Sequence, residues 1–321
     1  MIFAEIITFV VVSTVATLAT RFAKRVGTGS FRNWLRVKLG KGLDVGELSR
    51  RLGIVESDLR RVAPAYSVVN IAKRSGGTRR LLVPDATTKA LQRLILRKLL
   101  AGLRTHPAAI GFEPGKSVVD NARPHLRQAV VVRMDIVDFF TATTAVRIDH
   151  YFRRVGWNPE AAALLTRLTT HDGGLPQGAP TSPRLSNLVN YYLDVQLSFF
   201  AARRKGQYTR YADDITFSFP KDYPRRVRGA IQTVRRVLKK CGYTLHAKRK
   251  LQIRRRHQRQ LVTGLVVNEK LGLPRETRRW LRAVKHRHAQ GRAATLSPAA
   301  LQGWLAYAAM VQKNDAGGKP S

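Results

Sequence analysis

The sequence predicts an α+β fold, in which strands that carry acidic residues alternate with helices. Residues 129–140, AVVVRMDIVDFF, place five apolar residues among the six before Asp135, which is typical of a buried strand. Residues 208–219, YTRYADDITFSF, are β-branched and aromatic on both sides of two acids, which predicts a β-hairpin with the acids at its turn. Residues 276–290, ETRRWLRAVKHRHAQ, have apolar side chains at helical spacing among many cations, which predicts a basic amphipathic helix.

Further elements flank these segments. Residues 71–84, IAKRSGGTRRLLVP, contain two β-like runs around Ser-Gly-Gly-Thr and predict a second hairpin with basic arms. Residues 175–183, LPQGAPTSP, predict a shaped loop, and residues 184–199 are helix-compatible. Residues 43–62 predict two short packed helices, with a DNA-reading helix-turn-helix as the alternative.

The acidic residues indicate a cation site. Asp213 and Asp214 are adjacent, so their charges repel unless a cation neutralises them. Hard divalent cations such as Mg²⁺ prefer oxygen ligands and are usually held by one or two carboxylates together with substrate phosphates. Two simpler interpretations stay open at this point: a polar Asp-Asp turn on a solvated hairpin, and a strand-terminating cap at Asp135 or Asp138.

The order of these motifs resembles the palm of a reverse transcriptase. Asp135 matches the first catalytic aspartate, LPQG with Ser182-Pro183 matches the template- and nucleotide-positioning motif, and Tyr211-Ala-Asp-Asp matches the polymerase signature. The resemblance implies a right-hand polymerase with fingers, a palm built from an antiparallel sheet with helices on one face, and a short helical thumb. It implies RNA-directed DNA synthesis.

The resemblance also implies the catalytic metals. Nucleotidyl transfer is an in-line displacement at phosphorus, in which two metal ions stabilise the attacking and the leaving oxygens. Asp135 and Asp213 would bridge two Mg²⁺ ions, the Ile136 carbonyl would help to hold the nucleotide metal, and Asp214 would complete or tune the ligand shell.

Several positions are assigned to the incoming nucleotide by the same resemblance. Phe140, five residues after the first catalytic aspartate, matches the steric gate against the ribose 2′-hydroxyl, which implies deoxynucleotides; a core aromatic beside Phe139 is the alternative. In the 71–84 hairpin the matching residues would grip the triphosphate, with a solvated basic hairpin as the alternative. The nucleotide-binding positions are Lys73, Arg79, Phe139, Phe140, Gln177 and Tyr211.

A second pair of motifs resembles bacterial retron reverse transcriptases. Asn121-Ala-Arg-Pro-His125 matches an NAxxH motif, and Val262-Thr263-Gly264 matches a VTG motif that the family associates with its structured RNA. RNA binding is therefore expected at Asn121, His125, Thr263 and Gly264. The alternatives are a structural hydrogen-bonded pair for Asn121 and His125 and a β-bulge for Gly264. One departure is His246, which stands where the family has Asn before the retained Lys248.

The charge distribution favours a nucleic-acid partner. The chain holds 58 Lys and Arg against 20 Asp and Glu, a net charge of +38, and residues 221–290 contain 22 basic and 3 acidic residues. Such clustering is the electrostatic footprint of phosphate-backbone binding, although an anionic membrane or an acidic protein would also be attracted. The basic helix follows VTG where a thumb is expected, and its RNA-binding candidates are Arg278, Arg279, Arg282 and Lys285.

The N-terminus has three open interpretations. Residues 1–20 are apolar or small-polar with one charge, Glu5, and are long enough to span a bilayer. They form a membrane anchor, a helix packed on the protein or a partner, or a non-native extension from an upstream start codon. A single cysteine, Cys241, allows no intramolecular disulfide and fits a reducing cytoplasm. The expected location is therefore cytoplasmic, and under the anchor interpretation the positive-inside rule places the enzyme at the inner face of the membrane.

The expected organisation is an apolar segment (1–25), a helical region (26–65), fingers (66–128), an interleaved palm (129–260), a VTG segment with basic thumb (261–313) and a flexible tail (314–321). The resemblance implies copying of a bound structured noncoding RNA into DNA in an antiviral defence system, with an effector protein as a further partner. The alternatives are a group II intron-like or diversity-generating reverse transcriptase and, without catalysis, an RNA-binding scaffold.

Overall fold

The computed structural model describes residues 42–72, 76–246 and 251–316. The helices are α1 (Val45–Leu52), α2 (Glu56–Arg61), α3 (Ala86–Ile95), α4 (Val118–Ala122), α5 (Ala145–Arg154), α6 (Pro159–Thr169), α7 (Ser182–Val189), α8 (Tyr191–Ala202), α9 (Pro224–Lys240), α10 (Arg275–Ala289) and α11 (Pro298–Ala316). The strands are β1 (Tyr66–Ala72), β2 (Thr78–Pro84), β3 (Val130–Asp135), β4 (Gln207–Tyr211), β5 (Asp214–Phe219), β6 (Gln252–Arg255), β7 (Leu261–Val262) and β8 (Leu265–Val266). The predicted α+β class is confirmed.

The chain divides into two compact units. The first unit ends at His106 and resumes over Asp138–Tyr191, and the second combines Pro107–Val137 with the chain from Tyr192 onwards. Both units are therefore built from two separate stretches of sequence. The segment boundaries expected from the sequence stay predictions.

The first unit combines a helical core with the predicted hairpin. Strands β1 and β2 pair antiparallel, from Tyr66 opposite Pro84 to Ala72 opposite Thr78. The two short helices predicted near the start are confirmed as α1 and α2, which bury Leu48 and Leu59 in an apolar cluster with α3, α5 and α6. The Asp44 carboxylate accepts a hydrogen bond from the Glu47 amide and caps the start of α1, which satisfies a backbone donor that lacks a partner within the helix.

The second unit contains an antiparallel four-stranded sheet in the order β4-β5-β3-β6. Because side chains alternate between the faces of a strand, Tyr208, Arg210 and Phe217 share one face, which packs against α8. The other face carries Asp135 and Asp214. The alternation of apolar and polar residues along β3 thus decides which face holds the acids.

A C-terminal layer packs on the acid-bearing face. Val131 of β3 belongs to an apolar cluster with α4, the β7–β8 hairpin, α10 and α11. Within α10, Leu281 and Val284 are buried, which confirms the predicted apolar side of this helix.

The predicted helical stretch 184–199 is interrupted. Helix α7 begins earlier, at Ser182, and ends at Val189, after which α8 starts at Tyr191. The Asn190 side chain donates to the Ser186 carbonyl at 2.8 Å, and such a bond competes with the regular helix ladder. Among the described residues, no helix is long and apolar enough to cross a membrane. The expectations for residues 1–20, Lys73, Lys248 and the last residues of the tail lie outside the described ranges.

Candidate active site

The three predicted catalytic aspartates meet at one end of the four-stranded sheet. Asp135 is the last residue of β3 and stands opposite Asp214, the first residue of β5. Tyr211 pairs with Asp214, so Ala212 and Asp213 form a two-residue turn between β4 and β5. The predicted hairpin with its acids at the turn is confirmed, and strand register brings together acids that are distant in sequence.

The turn is fastened to the end of β3. The Ile136 amide donates to the Asp213 carbonyl at 3.0 Å, immediately after Asp135. On the other side, the His246 amide donates to the Asp135 carbonyl at 2.8 Å, and His246 Nε2 lies 3.6 Å from Asp135 Oδ1. His246, the departure from the family pattern, therefore lies directly beside the Asp135 carboxylate.

The two adjacent acids of the hairpin differ in their surroundings. Arg133, two residues before Asp135 on the same face of β3, donates through Nη2 to Asp214 Oδ2 in a partly buried ion pair. The guanidinium compensates the charge of Asp214 and relieves its repulsion with Asp213. This arrangement favours Asp135 and Asp213 as the main ligands of a cation, with Asp214 in the supporting position that the resemblance implies.

The donor set fits hard divalent cations. Asp135, Asp213 and Asp214 supply oxygen atoms, with the Ile136 carbonyl beside them. Within the described residues, no group of three or more His, Cys, Asp or Glu side chains that could hold a metal ion is found. Mg²⁺ usually keeps several waters and is bound through one or two carboxylates together with substrate phosphates.

The first unit holds the predicted Gln-Gly loop against the β1–β2 hairpin. The Leu82 amide of β2 donates to the Gln177 carbonyl at 2.8 Å. Gly178 adopts φ +130°, and a Cβ there would lie 2.6 Å from the Leu82 carbonyl oxygen, so only glycine allows this approach. Arg79 is exposed on the same strand and pairs with Ile71. Arg79 and Gln177 are thus placed on two segments that are bonded to each other.

Phe139 and Phe140 occupy a turn of the first unit. The Phe140 carbonyl accepts from the Leu175 amide at 3.2 Å, so the turn adjoins the Gln-Gly loop. Phe139 is 4% exposed, and its expected contact with the nucleotide stays a prediction. Phe140 is half-buried and packs partly against the core, so its gate role stays a prediction.

The two named residues of the NAxxH segment are buried. Asn121 and His125 are 1% and 0% exposed, and their expected contact with RNA stays a prediction. His125 Nδ1 lies 2.7 Å from Ser218 Oγ and Nε2 lies 2.8 Å from Thr209 Oγ1, so the ring joins β5 to β4. Burial lowers the pKa of His125 to about 3, so the ring is neutral near pH 7.

The VTG segment is a tight turn, neither a strand interior nor a β-bulge. Val262 pairs with Leu265, and Thr263 and Gly264 between them have φ +45° and +84°. Two positive φ angles are typical of a type I′ hairpin turn, where glycine is favoured at the second position. Thr263 Oγ1 donates to the Val118 carbonyl at 3.1 Å, and Gly264 is exposed with open space around its Cα. The turn therefore lies at the surface of the second unit, where Thr263 is hydrogen-bonded to α4.

Two helices present cations. In α10 the predicted residues Arg278, Arg279, Arg282 and Lys285 are all exposed. Helix α9 carries seven cations and no acid in 17 residues. Its buried residues occupy one side, and the opposite side is exposed and forms a stripe of Arg225, Arg228, Arg235, Arg236, Lys239 and Lys240. Within the described part of the chain, no ion pair neutralises this stripe.

Sequence reasoning missed two kinds of residue. The α9 stripe was detectable, because a helical pattern of cations without a single acid is visible in residues 224–240. Arg133 and Asp194 had no such signal, because their partners are distant in the sequence. Arg133 bonds Asp214, 81 residues further along the chain, and Asp194 bonds Arg210, 16 residues further along.

The sequence matches known proteins in the same region. The family described as reverse transcriptase (RNA-dependent DNA polymerase) matches residues 71–268. The Mx65 retron reverse transcriptase of Myxococcus xanthus is 36% identical over 269 residues, which cover 78% of this chain and 62% of that protein. The Ec86 retron reverse transcriptase of Escherichia coli is 32% identical over 272 residues, which cover 84% of this chain and 82% of that protein.

A solved telomerase from Candida albicans, in complex with a fragment of telomeric RNA, aligns with a TM-score of 0.49 and 11% identity, over 68% of this chain and 46% of that one.

The chain spans less than two thirds of the Mx65 protein and most of the Ec86 protein. With the match to the family over most of its length, the chain belongs to the reverse transcriptases, the RNA-dependent DNA polymerases, and among them to those of the retron type.

Proposed function

We propose that this chain copies part of a bound structured RNA into DNA by metal-dependent nucleotidyl transfer. The observation that carries the proposal is the register of the sheet, which sets Asp135 opposite Asp214 with Asp213 in the adjoining turn. Two Mg²⁺ ions held by Asp135 and Asp213, with the Ile136 carbonyl and Asp214, would stabilise the attacking and leaving oxygens.

The residues around the acids keep this constellation in place. Arg133 neutralises Asp214 and holds its carboxylate toward β3. The bond from Ile136 to the Asp213 carbonyl fixes the turn relative to Asp135. Preorganised charges of this kind need little rearrangement during the reaction, which is how an enzyme stabilises a transition state.

Several of the residues that this proposal assigns to the nucleotide lie in the first unit. Exposed Arg79, with Lys73, would bind the triphosphate, and Gln177 would lie beneath the nucleotide. The Phe140 ring would exclude a 2′-hydroxyl. The bond between Leu82 and Gln177 supports this assignment, because it couples the basic hairpin to the Gln-Gly loop.

The RNA would be held by two cationic surfaces. The exposed cations of α10 form one, and the α9 stripe forms the other. Each phosphate neutralised by a cation contributes a slope of about 0.7–0.9 to the dependence of log K on log salt. Replacing Arg228, Arg235 and Lys239 by Gln should therefore flatten the salt dependence of binding to a generic RNA hairpin by about 2. An unchanged slope would show that the stripe is only a solvated surface.

Selectivity for the cognate RNA is assigned to the Thr263-Gly264 turn. An exposed turn can recognise RNA shape, whereas phosphate contacts do not distinguish sequences. The change Gly264→Asn keeps the turn, because Asn tolerates positive φ, and adds a side chain in open space. It should reduce copying of the RNA transcribed from the segment directly upstream of the gene and leave oligo(dT) extension on poly(rA) unchanged. If Gly264→Asn changes the rate by the same factor on both templates, the turn has a structural role and no part in RNA selectivity.

The polymerase activity is tested with the full chain. Purified protein with poly(rA), oligo(dT), dTTP and Mg²⁺ should extend the primer, and chelation by EDTA should stop extension. Asp135→Asn should abolish extension and retain RNA binding, because the substitution removes metal-binding charge from a half-buried residue at the end of a strand without changing its size. Extension that persists in EDTA or in Asp135→Asn would contradict the proposal. The defence role, the effector protein and the cellular location stay predictions.

A further inference from the structure

The residue before the polymerase signature, Arg210, is fully buried beneath the sheet. Its Nε and Nη2 donate to Asp194 Oδ1 and Oδ2 at 2.8 and 2.6 Å, and both side chains are 0% exposed. The Tyr208 hydroxyl donates to Asp194 Oδ1 at 2.6 Å. This bidentate pair lies on the face of the sheet opposite to the one that bears Asp135 and Asp214.

Stability alone gives a weak reason for such a pair. Removing two charges from water costs so much that well-packed apolar residues can replace a buried ion pair at no loss, while removing one partner of the pair is strongly destabilising. Burial alone would lower the pKa of Arg210, but the charge and hydrogen bonds of Asp194 outweigh burial and raise it. Burial, and then Asp194, raises the pKa of Tyr208, which therefore stays protonated as a donor. The pair is locked in its charged form.

The remaining arm of the guanidinium reaches the catalytic turn. Arg210 Nη1 donates to the Ala212 carbonyl at 3.1 Å. Ala212 has φ +56°, a left-handed conformation that is strained for a residue with a Cβ atom. The hydrogen bond from Arg210 helps to hold this strained residue.

The same turn is confined from outside the sheet. The Ile110 amide donates to the Arg210 carbonyl at 2.9 Å, and the Arg210 amide donates to the Ala108 carbonyl at 2.8 Å. A Cβ on Gly111 would lie 2.8 Å from the Ala212 nitrogen. The segment 108–111 therefore runs against the free edge of β4 and leaves the turn no room to shift on that side.

Together these contacts fix both peptide groups that flank Asp213. The Ala212 carbonyl, in the peptide group before Asp213, accepts a hydrogen bond from Arg210. The Asp213 carbonyl, in the peptide group after it, accepts a hydrogen bond from the Ile136 amide. We propose that Arg210, locked by Asp194, is a positioning residue that fixes the Ala212-Asp213 turn and so directs the Asp213 carboxylate toward the metal site. This inference rests on the proposed polymerase function.

The test is Arg210→Lys in the full chain. A lysine ammonium can pair with Asp194 but lacks the planar fork that reaches Ala212 at the same time. We expect kcat for oligo(dT) extension on poly(rA) to fall by about 10- to 100-fold, because a 1 Å misplacement of a catalytic group can cost about 100-fold. The Mg²⁺ concentration for half-maximal rate should rise by about 10-fold or more, as for other residues that orient metal ligands. The Kd for the RNA should stay unchanged.

The matched control is Leu238→Ala at a fully buried residue of α9, which should lower the Tm because the truncation leaves a cavity in the core. All rates are measured well below each Tm and per folded molecule, and Asp194→Asn serves as a second variant that keeps the shape of the buried site. Leu238→Ala should keep the wild-type kcat and Mg²⁺ dependence.

The outcomes separate the two levels of inference. If the wild-type chain extends no primer, the polymerase function itself is wrong. If the wild-type chain is active and either Arg210→Lys or Asp194→Asn keeps the wild-type kcat and Mg²⁺ dependence, the positioning role is wrong. If Leu238→Ala changes both quantities as much as Arg210→Lys does, the buried pair is only structural and the proposal is also overturned.

Discussion

Acidification should destabilise the second unit through one buried residue, His125. Its ring lies between Thr209 of β4 and Ser218 of β5 and is 0% exposed. Burial lowers its pKa to about 3 from the ordinary value of 6.5. Below pH 6.5 the unfolded chain therefore binds a proton that the folded chain does not bind.

The sign and size of the effect follow from this difference in proton uptake. The contribution of His125 to the free energy of unfolding is fully present above pH 6.5. It is lost as the pH falls toward 3, because the unfolded chain binds the proton and is stabilised by it. For these two pKa values, the loss at pH 5 is about 2 kcal/mol, and it approaches about 5 kcal/mol only below pH 3.

The assay is urea unfolding at pH 7.5 and pH 5.0. His125→Gln removes the titrating ring. The free energy of unfolding of this variant should therefore fall by about 2 kcal/mol less between pH 7.5 and pH 5.0 than that of the wild type. His257→Gln, at an exposed position, should behave as the wild type. An identical pH dependence in all three proteins would refute the reasoning and would mean that the His125 ring is protonated in the folded chain.

Three further outcomes are expected. Phe140→Ala should raise ribonucleotide incorporation with little change for deoxynucleotides, measured by competition between rUTP and dTTP; equally poor ribonucleotide use in both proteins would make Phe140 a core residue. Gly111→Ala should lower kcat by about 10-fold or more through displacement of the catalytic turn, while Gly272→Ala, where a Cβ meets nothing, should not; equal rates would contradict the close packing. Arg282→Gln should weaken binding of unrelated RNAs equally and lower the salt slope by about 0.7–0.9, so a loss confined to one RNA would exclude a phosphate contact.

Much of the site was predictable because its elements have strong local patterns. The apolar run before Asp135 and the β-rich flanks of the Asp-Asp pair predict strands, and the family motifs give the role of each acid. The basic helix after VTG follows from its apolar spacing, which Leu281 and Val284 confirm by their burial.

The sequence was least informative where contacts between distant parts of the chain determine the local structure. Gln260–Asn268 forms a nearly continuous apolar run, and only the Thr-Gly pair at its middle signals the two-residue turn that the structure contains. A helical spacing of Asn121 and His125 could not show that both side chains point into the interior of the second unit. The Arg210–Asp194 pair depends on how α8 packs on the sheet, and the sequence contains no local pattern for that.

The most direct test of the central claim is the Asp213→Asn variant in Mg²⁺-dependent DNA synthesis on an RNA template. The asparagine side chain would occupy the same turn without the charge, so the fold and the Kd for RNA should remain those of the wild type. If Asp213 binds the catalytic ions, its loss removes about 4 kcal/mol of transition-state stabilisation or more, and extension should fall by at least about 1,000-fold. Extension at the wild-type rate by a folded, RNA-binding Asp213→Asn protein would contradict the assignment of this turn as the polymerase centre.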